Sequence, residues 1–238
     1  MRGLLMENLA ETANAYMAWW SLAGVDCAVG EEPMNWLRPV QDAARPRISA
    51  ADDGATLTRP QSFEAFMTWL AEGAAQPERR WPGAAIMPAG PVNAPLMVIT
   101  DMPDPADLEA GVLFSDRAGQ LFDAMLRAIG LDRQDVHLAS LFLSRPPGAM
   151  VEATDLALAA TRMRTHVMFA SPQRLLLLGD RTIRTLMPTA DSGLRKFNHD
   201  GGTLPAFATF HPRLLLGQPA AKAECWRVMQ GLIEEMTK

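Results

Sequence analysis

Four polar side chains lie at or near the ends of apolar runs in the second half of the chain: Asp101, Ser140, Asp180 and His211. A carboxylate can orient a water molecule and take its proton, and an imidazole can stabilise negative charge that develops on a departing group. Two ordinary alternatives stay open. Asp101 lies in the proline-rich segment TDMPDP and could simply cap a helix or close a turn. His211 could be a solvated or core-satisfied histidine.

The apolar runs that precede these residues predict buried β-strands. Apolar residues run continuously instead of alternating, as in parallel strands that are covered on both faces. Helical patterns lie between them, which predicts a three-layer α/β/α fold with a central four-stranded parallel sheet. Ligands of such sheets bind beyond the carboxyl ends of the strands, which is where the four polar residues fall. The predicted strands cover residues 96–101, 136–142, 174–180 and 206–212, and the predicted helices cover 117–130, 154–169, 181–187 and the segment from about Pro219. The last helix is expected to carry an apolar stripe of Trp226, Met229, Ile233 and Met236.

The first ninety residues have a different character. Helices are predicted near residues 4–23 and 62–71, and the segments around them are rich in proline, arginine and small residues. We therefore divide the chain into an N-terminal helical extension with a Pro-rich connector, residues 1–90, and an α/β/α domain, residues 91–238.

Composition limits the partners and the chemistry. The chain has 238 residues, of which 48% are hydrophobic and 21% charged, and a formal net charge of −5. An acidic chain binds a polyanion only through a local basic patch, for which Arg195 and Lys196 are candidates. They belong to a segment before the fourth predicted strand that is interpreted as a loop with a basic rim, formed by Arg181, Arg184, Arg195, Lys196 and His199. The two cysteines, Cys27 and Cys225, cannot form a disulfide framework or a cysteine-only metal cage. Neither a signal peptide nor a membrane-spanning run is evident, so a cytoplasmic location and no contact with a membrane are expected. A monomer is expected as well.

Five motifs resemble, in order and spacing, the iron–sulfur type of uracil-DNA glycosylase. That family has a Gly-Glu-Ala-Pro-Gly loop after its first strand and then a Gly-x-Pro-Phe-Val-Gly-Arg-Ala-Gly-Gln-Leu-Leu run. It continues with Gly-Leu-Asp-Arg, an Arg-Pro-Pro-Gly turn and a closing His-Pro-Ser motif. The matching stretches here are GVLFSDRAGQLF at 111–122, GLDR at 130–133, RPPG at 145–148, LLLLGDRTIRTL at 175–186 and FHPRLLL at 210–216.

The resemblance implies a role for each matching residue. Asp101 falls on the loop glutamate that orients the attacking water, and His211 falls on the histidine that hydrogen-bonds O2 of the departing uracil. Phe114 matches the phenylalanine that stacks on the extruded base, although plain core packing is its alternative. The base-binding set is completed by Met102 and Ser140. Arg213 could contact a DNA phosphate, together with Arg195 and Lys196.

The chain also departs from this family. Ser140 stands where the family has an asparagine that reads the base, and a hydroxyl cannot make the paired contacts of an amide. Thr100 and Asp104 replace glycines of the first loop. Ser144 stands at a cluster cysteine, and two cysteines cannot ligate a four-cysteine cluster, so no metal and no cofactor are expected.

Two functions therefore stay open at the level of the sequence. One is hydrolysis of the N-glycosidic bond of uracil, or another deaminated base, in single- or double-stranded DNA. The other is a degenerate homologue that binds DNA or a partner without base excision. Asp101, Phe114 and His211 favour the enzyme, whereas Ser140 and the altered TDMPDP loop favour the binding protein.

Overall fold

The computed structural model describes residues 60–73, 76–187, 195–199 and 201–237. The helix predicted over residues 4–23 lies outside the described residues, as does Cys27. The second helix predicted in the extension is present and begins after Ser62, whose hydroxyl accepts a hydrogen bond from the amide of Ala65. The division of the chain at residue 90 stays a prediction.

One five-stranded sheet forms the centre of the described part of the chain, in the order β2-β1-β3-β5-β4. The first four strands in this order are parallel, with Thr100 paired to Ser140 and Leu178 paired to Thr209. These pairings align the carboxyl ends of the parallel strands at one edge of the sheet. The strands are β1 (Leu96–Thr100), β2 (Val136–Ser140), β3 (Leu175–Leu178), β4 (Arg195–His199) and β5 (Gly202–Thr209).

Helices cover both faces of this sheet, which confirms the predicted three-layer fold. Leu96 and Val98 face one apolar cluster, which includes Phe122 and Met229, while Met97 and Ile99 face the other. Both faces are buried, so the strands show no apolar–polar alternation. The helices are α1 (Phe63–Glu72), α2 (Pro105–Ala110), α3 (Arg117–Ala128), α4 (Ala153–Ala170), α5 (Asp180–Leu186), α6 (Pro212–Gly217) and α7 (Ala221–Met236).

The sheet has one strand more than the sequence predicted. β4 runs antiparallel to β5 and forms a hairpin with it. As part of this hairpin, β5 begins at Gly202 and not at residue 206, where the predicted strand begins. Within β4 only Phe197 is fully buried, at 1% exposure. A single apolar residue among polar neighbours shows no strand periodicity, which is why the sequence pattern predicts a loop at this segment and not a strand.

The last helix also differs in detail from the prediction. We expected Trp226 to belong to its apolar stripe, but the indole is 44% exposed. Cys225, Met229 and Leu232 are the residues of α7 that are buried against the sheet. Cys225 and Met229 lie one turn apart on this face, whereas Trp226 is rotated away from it.

Candidate active site

Asp101 directly follows β1 at the carboxyl edge of the sheet. Its Oδ2 accepts a hydrogen bond of 2.9 Å from Nη1 of Arg181, which lies in the first turn of α5. Its Oδ1 is buried and has no hydrogen-bond partner among the described residues. Burial raises the pKa of this carboxyl group, and the nearby charges of Arg181 and Arg145 only partly offset that rise. Asp101 therefore has one oxygen held by an arginine and a second one that is still able to accept a proton.

His211 forms the N-terminal cap of α6, just beyond the end of β5. Its Nδ1 accepts a hydrogen bond of 3.2 Å from the backbone N–H of Arg213. A ring nitrogen that accepts carries no proton, so the neutral ring carries its proton on Nε2. Burial lowers the pKa of His211, which keeps the ring neutral at pH 7. This fold thus presents a neutral N–H donor at the carboxyl edge.

Phe114 lies beside His211, with the two ring centroids 5.3 Å apart and the planes tilted by 26°. It also stacks on Phe122, at 4.5 Å, and its side chain is 3% exposed. The backbone of Phe114 has φ of 56°, which is unusual for a residue with a side chain. Gly119 lies against this turn, because a Cβ there would meet the carbonyl oxygen of Phe114 at 1.9 Å. Phe114 forms a flat apolar wall, but little of its surface is open.

Arg133 holds this turn in place, and sequence reasoning missed it. Its guanidinium donates to the carbonyl oxygens of Leu113, at 2.9 Å, and Phe114, at 2.6 Å. It also pairs with Asp123 at 2.5 Å. Its presence in the GLDR motif was a usable signal, because an arginine with five donors can fix several carbonyl groups at once.

The two other predicted base-binding residues are buried. The Ser140 hydroxyl is 2% exposed and donates to the carbonyl oxygen of Phe142 at 2.7 Å, so its proton serves the turn that follows β2. Met102 is 6% exposed and packs in the apolar cluster that includes Met97 and Ile99. In this structure neither side chain offers a polar atom to a ligand.

The predicted DNA-binding cations fall into two groups. Arg213 is engaged within the protein, where its Nε lies 2.6 Å from Oδ2 of Asp104 and its Nη2 lies 2.8 Å from Oδ2 of Asp116. Arg195 and Lys196 lie at the start of β4, paired with Ala206 and Pro205 in the middle of β5. Lys196 is exposed and Arg195 is partly buried. Their contact with DNA stays a prediction.

The basic rim proposed before the fourth predicted strand is partly neutralised. Arg181 pairs with Asp101, and Arg184 pairs with Asp180 at 2.9 Å one turn away along α5. Asp180, the fourth polar residue noted at a strand end, is exposed and thus serves an ordinary surface ion pair. It takes no part in the arrangement around His211.

The residues present do not fit a four-cysteine iron–sulfur cluster. Ser144, at the position of a cluster cysteine, is 1% exposed, and its hydroxyl has no partner in the described segments. Cys225 is the one cysteine in the described part of the chain, and it lies in α7 within the apolar cluster that includes Phe122 and Met229. No group of three or more His, Cys, Asp or Glu residues within the described ranges is arranged to hold a metal ion.

Comparison with known proteins connects this geometry to a family. The family model of the uracil-DNA glycosylase superfamily matches residues 87–230, which is more than half of the chain. The chain belongs to the uracil-DNA glycosylase superfamily. The type-4 uracil-DNA glycosylase of Pyrobaculum aerophilum is similar over 151 residues, with 23% identity, which cover 59% of this chain and 77% of that protein.

Superfamily membership agrees with the placement of the site. All the site residues discussed above, from Asp101 to Arg213, lie within the matched range. The recognition made from the motifs is therefore confirmed at the level of the superfamily and of the type-4 resemblance. None of the helices that the structure describes is long and apolar enough to cross a membrane.

Proposed function

We propose that this uracil-DNA glycosylase-like protein hydrolyses the N-glycosidic bond of uracil, or of another deaminated base, in DNA. One observation carries the proposal. A neutral imidazole with its N–H on Nε2 and a carboxylate with a buried acceptor oxygen lie at the same edge of the sheet. Membership of the superfamily and the similarity to a type-4 enzyme support DNA as the substrate.

Asp101 would supply the hydrolytic half of the reaction. Its Oδ1 can accept a hydrogen bond from a water molecule while Arg181 holds Oδ2. The water oxygen forms a bond to the sugar C1′ as the bond from C1′ to the base nitrogen breaks. The proton of the water passes to the carboxylate, whose burial raises the pKa and makes it a better proton acceptor.

His211 would stabilise the leaving group. The electron pair of the broken bond remains on the base, and negative charge spreads to its carbonyl oxygens. A preorganised N–H donor acts where this charge develops, without reorganisation during the reaction. Phe114, which contacts the His211 ring, would contribute the flat surface on which an extruded pyrimidine stacks.

A second candidate is a homologue that binds DNA without base excision. The internal hydrogen bond of Ser140 and the burial of Phe114 favour it, because both reduce the surface that could read a base. The monomeric state, the cytoplasmic location and the preference among deaminated bases also remain predictions.

A base-release assay separates the two candidates. A single-stranded, end-labelled oligonucleotide with one uracil is incubated with the protein, and alkali then converts each abasic site into a strand break. Single-stranded substrate avoids the cost of unpairing the base. We expect cleavage by the wild type and a loss of roughly a hundredfold or more in His211→Ala and in Asp101→Asn.

Glu224→Gln on the exposed face of α7 is the control variant, and it should retain full activity. Absence of strand breaks with uracil, hypoxanthine and xanthine substrates at stoichiometric protein would exclude the enzyme. Wild-type rates in both site variants would exclude the assigned roles of Asp101 and His211.

A further inference from the structure

Three charged side chains meet across the segments that carry the site. Asp104 lies in the loop after β1, three residues from Asp101; Asp116 caps α3, two residues from Phe114. Arg213 follows His211 by two residues and reaches both carboxylates, at 2.6 Å and 2.8 Å. We call Arg213, Asp104 and Asp116 the clamp.

The contacts of the clamp occupy two N–H donors of Arg213 and all the carboxylate oxygens of Asp104 and Asp116. Nε and Nη2 of Arg213 each donate to a different carboxylate, and the side chain is 46% exposed. The other oxygen of Asp104 faces Arg145 at 3.7 Å. The remaining oxygen of Asp116 accepts from the amide of Ala118 at 2.8 Å. Each carboxylate thus neutralises a cation that would otherwise face the solvent.

The clamp occupies positions at which this chain differs from the motifs described above. Asp104 and Asp116 stand where those motifs have glycine, and Arg213 stands where they have serine. Two carboxylates near a surface that meets DNA repel the phosphate backbone, whereas an arginine attracts it. Since the three differences from the motifs occur together and the three side chains are in contact, we interpret Asp104, Asp116 and Arg213 as one functional unit.

We propose that the clamp competes with the nucleic-acid backbone for Arg213 and thereby sets the affinity of the protein for DNA and its salt dependence. This proposal rests on the proposed function, since it assumes that DNA reaches this edge of the sheet. A phosphate can take the Nε and Nη2 donors of Arg213 only after the carboxylates have released them, and until then the two carboxylates neutralise the guanidinium charge. The clamp therefore weakens non-specific binding of DNA at the site itself, while Arg213 remains in place beside His211.

DNA binding is the direct test, and it requires no turnover. The anisotropy of a labelled, uracil-free single-stranded oligonucleotide is titrated with protein over a series of salt concentrations. Asp104→Asn/Asp116→Asn removes both charges but keeps an oxygen that can cap each helix. Arg213→Gln removes the cation alone. Circular dichroism of each variant shows whether it is folded.

The double variant should bind more tightly by roughly fivefold, as expected when two partly exposed ion pairs no longer compete. The slope of log affinity against log salt should become steeper by about 0.7, the value for one additional phosphate contact on a single strand. Arg213→Gln alone should change little, because Arg213 is already occupied. Adding Arg213→Gln to the double variant should remove the extra slope.

The matched control is Glu109→Gln/Glu234→Gln, which removes two exposed carboxylates outside the clamp. Equal affinity and slope in the double variant and in this control would overturn the clamp. A gain in DNA affinity that persists after Arg213→Gln is added would also overturn the clamp, since loss of negative charge alone would then explain the tighter binding. If neither the wild type nor any variant binds the oligonucleotide at any salt concentration, both the clamp and the proposed function fail. A different result rejects the clamp alone. If the wild type releases the base but the clamp variants bind DNA with unchanged affinity, the proposed function stands and the clamp does not.

Discussion

Glu78 is a buried carboxylate and Asp101 a partly buried one, and their surroundings shift their pKa values in opposite directions. Glu78 faces Arg162, which approaches both carboxylate oxygens at 2.6 Å and 3.0 Å, and it also accepts from the amide of Leu143 at 2.8 Å. Burial acts to raise the pKa of Glu78, but Arg162 and the Leu143 amide outweigh it and hold the pKa below its usual value. Asp101 has one arginine contact and one unpartnered oxygen, so burial prevails and its pKa is raised.

The difference separates a structural carboxylate from the one to which we assign the activation of water. The Glu78–Arg162 pair ties the segment before β1 to α4 and to the turn after β2, because Arg162 also donates to the carbonyl oxygen of Leu141 at 2.6 Å. All oxygens of Glu78 are engaged, and none is left for a substrate. Asp101 has a buried acceptor oxygen without a partner among the described residues, and the proposed mechanism gives this oxygen to the attacking water.

The largest difference should appear in stability. Glu78→Gln leaves the buried charge of Arg162 without its partner and should lower the free energy of unfolding by about 3–5 kcal/mol. Asp101→Asn removes a charge that burial disfavours, so the free energy of unfolding should change by less than about 1 kcal/mol. Urea denaturation at pH 7 measures both. Equal losses in the two isosteric variants would contradict the contrast between the two carboxylates.

A buried histidine pair extends the contrast to groups that titrate near neutrality. Nδ1 of His137 lies 3.1 Å from the carbonyl oxygen of Pro91, which can only accept, so Nδ1 carries the proton. Nε2 of His137 therefore accepts from Nε2–H of His166 at 2.9 Å. Burial lowers the pKa of both rings, and the charges of His137 and Arg162 add to the effect at His166.

Stability should therefore fall as the pH decreases from 7 to 5. Below about pH 6.5 the unfolded chain binds protons that these two folded histidines exclude, so the free energy of unfolding decreases by about 1.4 kcal/mol per pH unit for each ring that stays neutral. Urea denaturation at intervals of half a pH unit measures the slope. His137→Gln/His166→Gln should give a flatter slope, even though the variant is less stable. An unchanged slope would show that other groups dominate this pH range.

The cations of the carboxyl edge should show the smallest effect. Arg181 and Arg213 are paired with carboxylates, whereas Lys196 lies exposed on β4 beside Arg195. Arg195→Glu/Lys196→Glu should weaken DNA binding for all sequences and make the salt slope shallower by up to about 1.4 for a single strand, since two phosphate contacts are lost. Anisotropy at several salt concentrations measures both quantities.

Lys222→Glu/Arg227→Glu on the exposed face of α7 has the same change in charge and is the matched control. Equal losses in the two variants would mean that net charge, and not β4, determines the affinity.

Local patterns predicted most of the fold. Four parallel strands and their helices could be predicted because continuous apolar runs and helical periodicity are visible within ten or so neighbouring residues. β4 could not, since its pairing with β5 depends on one buried residue, Phe197, in an otherwise polar segment. The exposure of Trp226 was not predicted, because an apolar residue type on a helix does not indicate how much of that helix the protein core covers.

The positions of the polar residues at the strand ends, and the superfamily of the chain, could be read from local apolar runs and from the succession and spacing of motifs along the chain. What those side chains can do depends on their surroundings in three dimensions. The proton position on His211, the unpartnered oxygen of Asp101 and the capture of Arg213 by Asp104 and Asp116 all depend on partners distant in sequence or on backbone geometry. A hydrogen bond is set by distance and angle within a few ångströms, and residue types alone do not fix either of these.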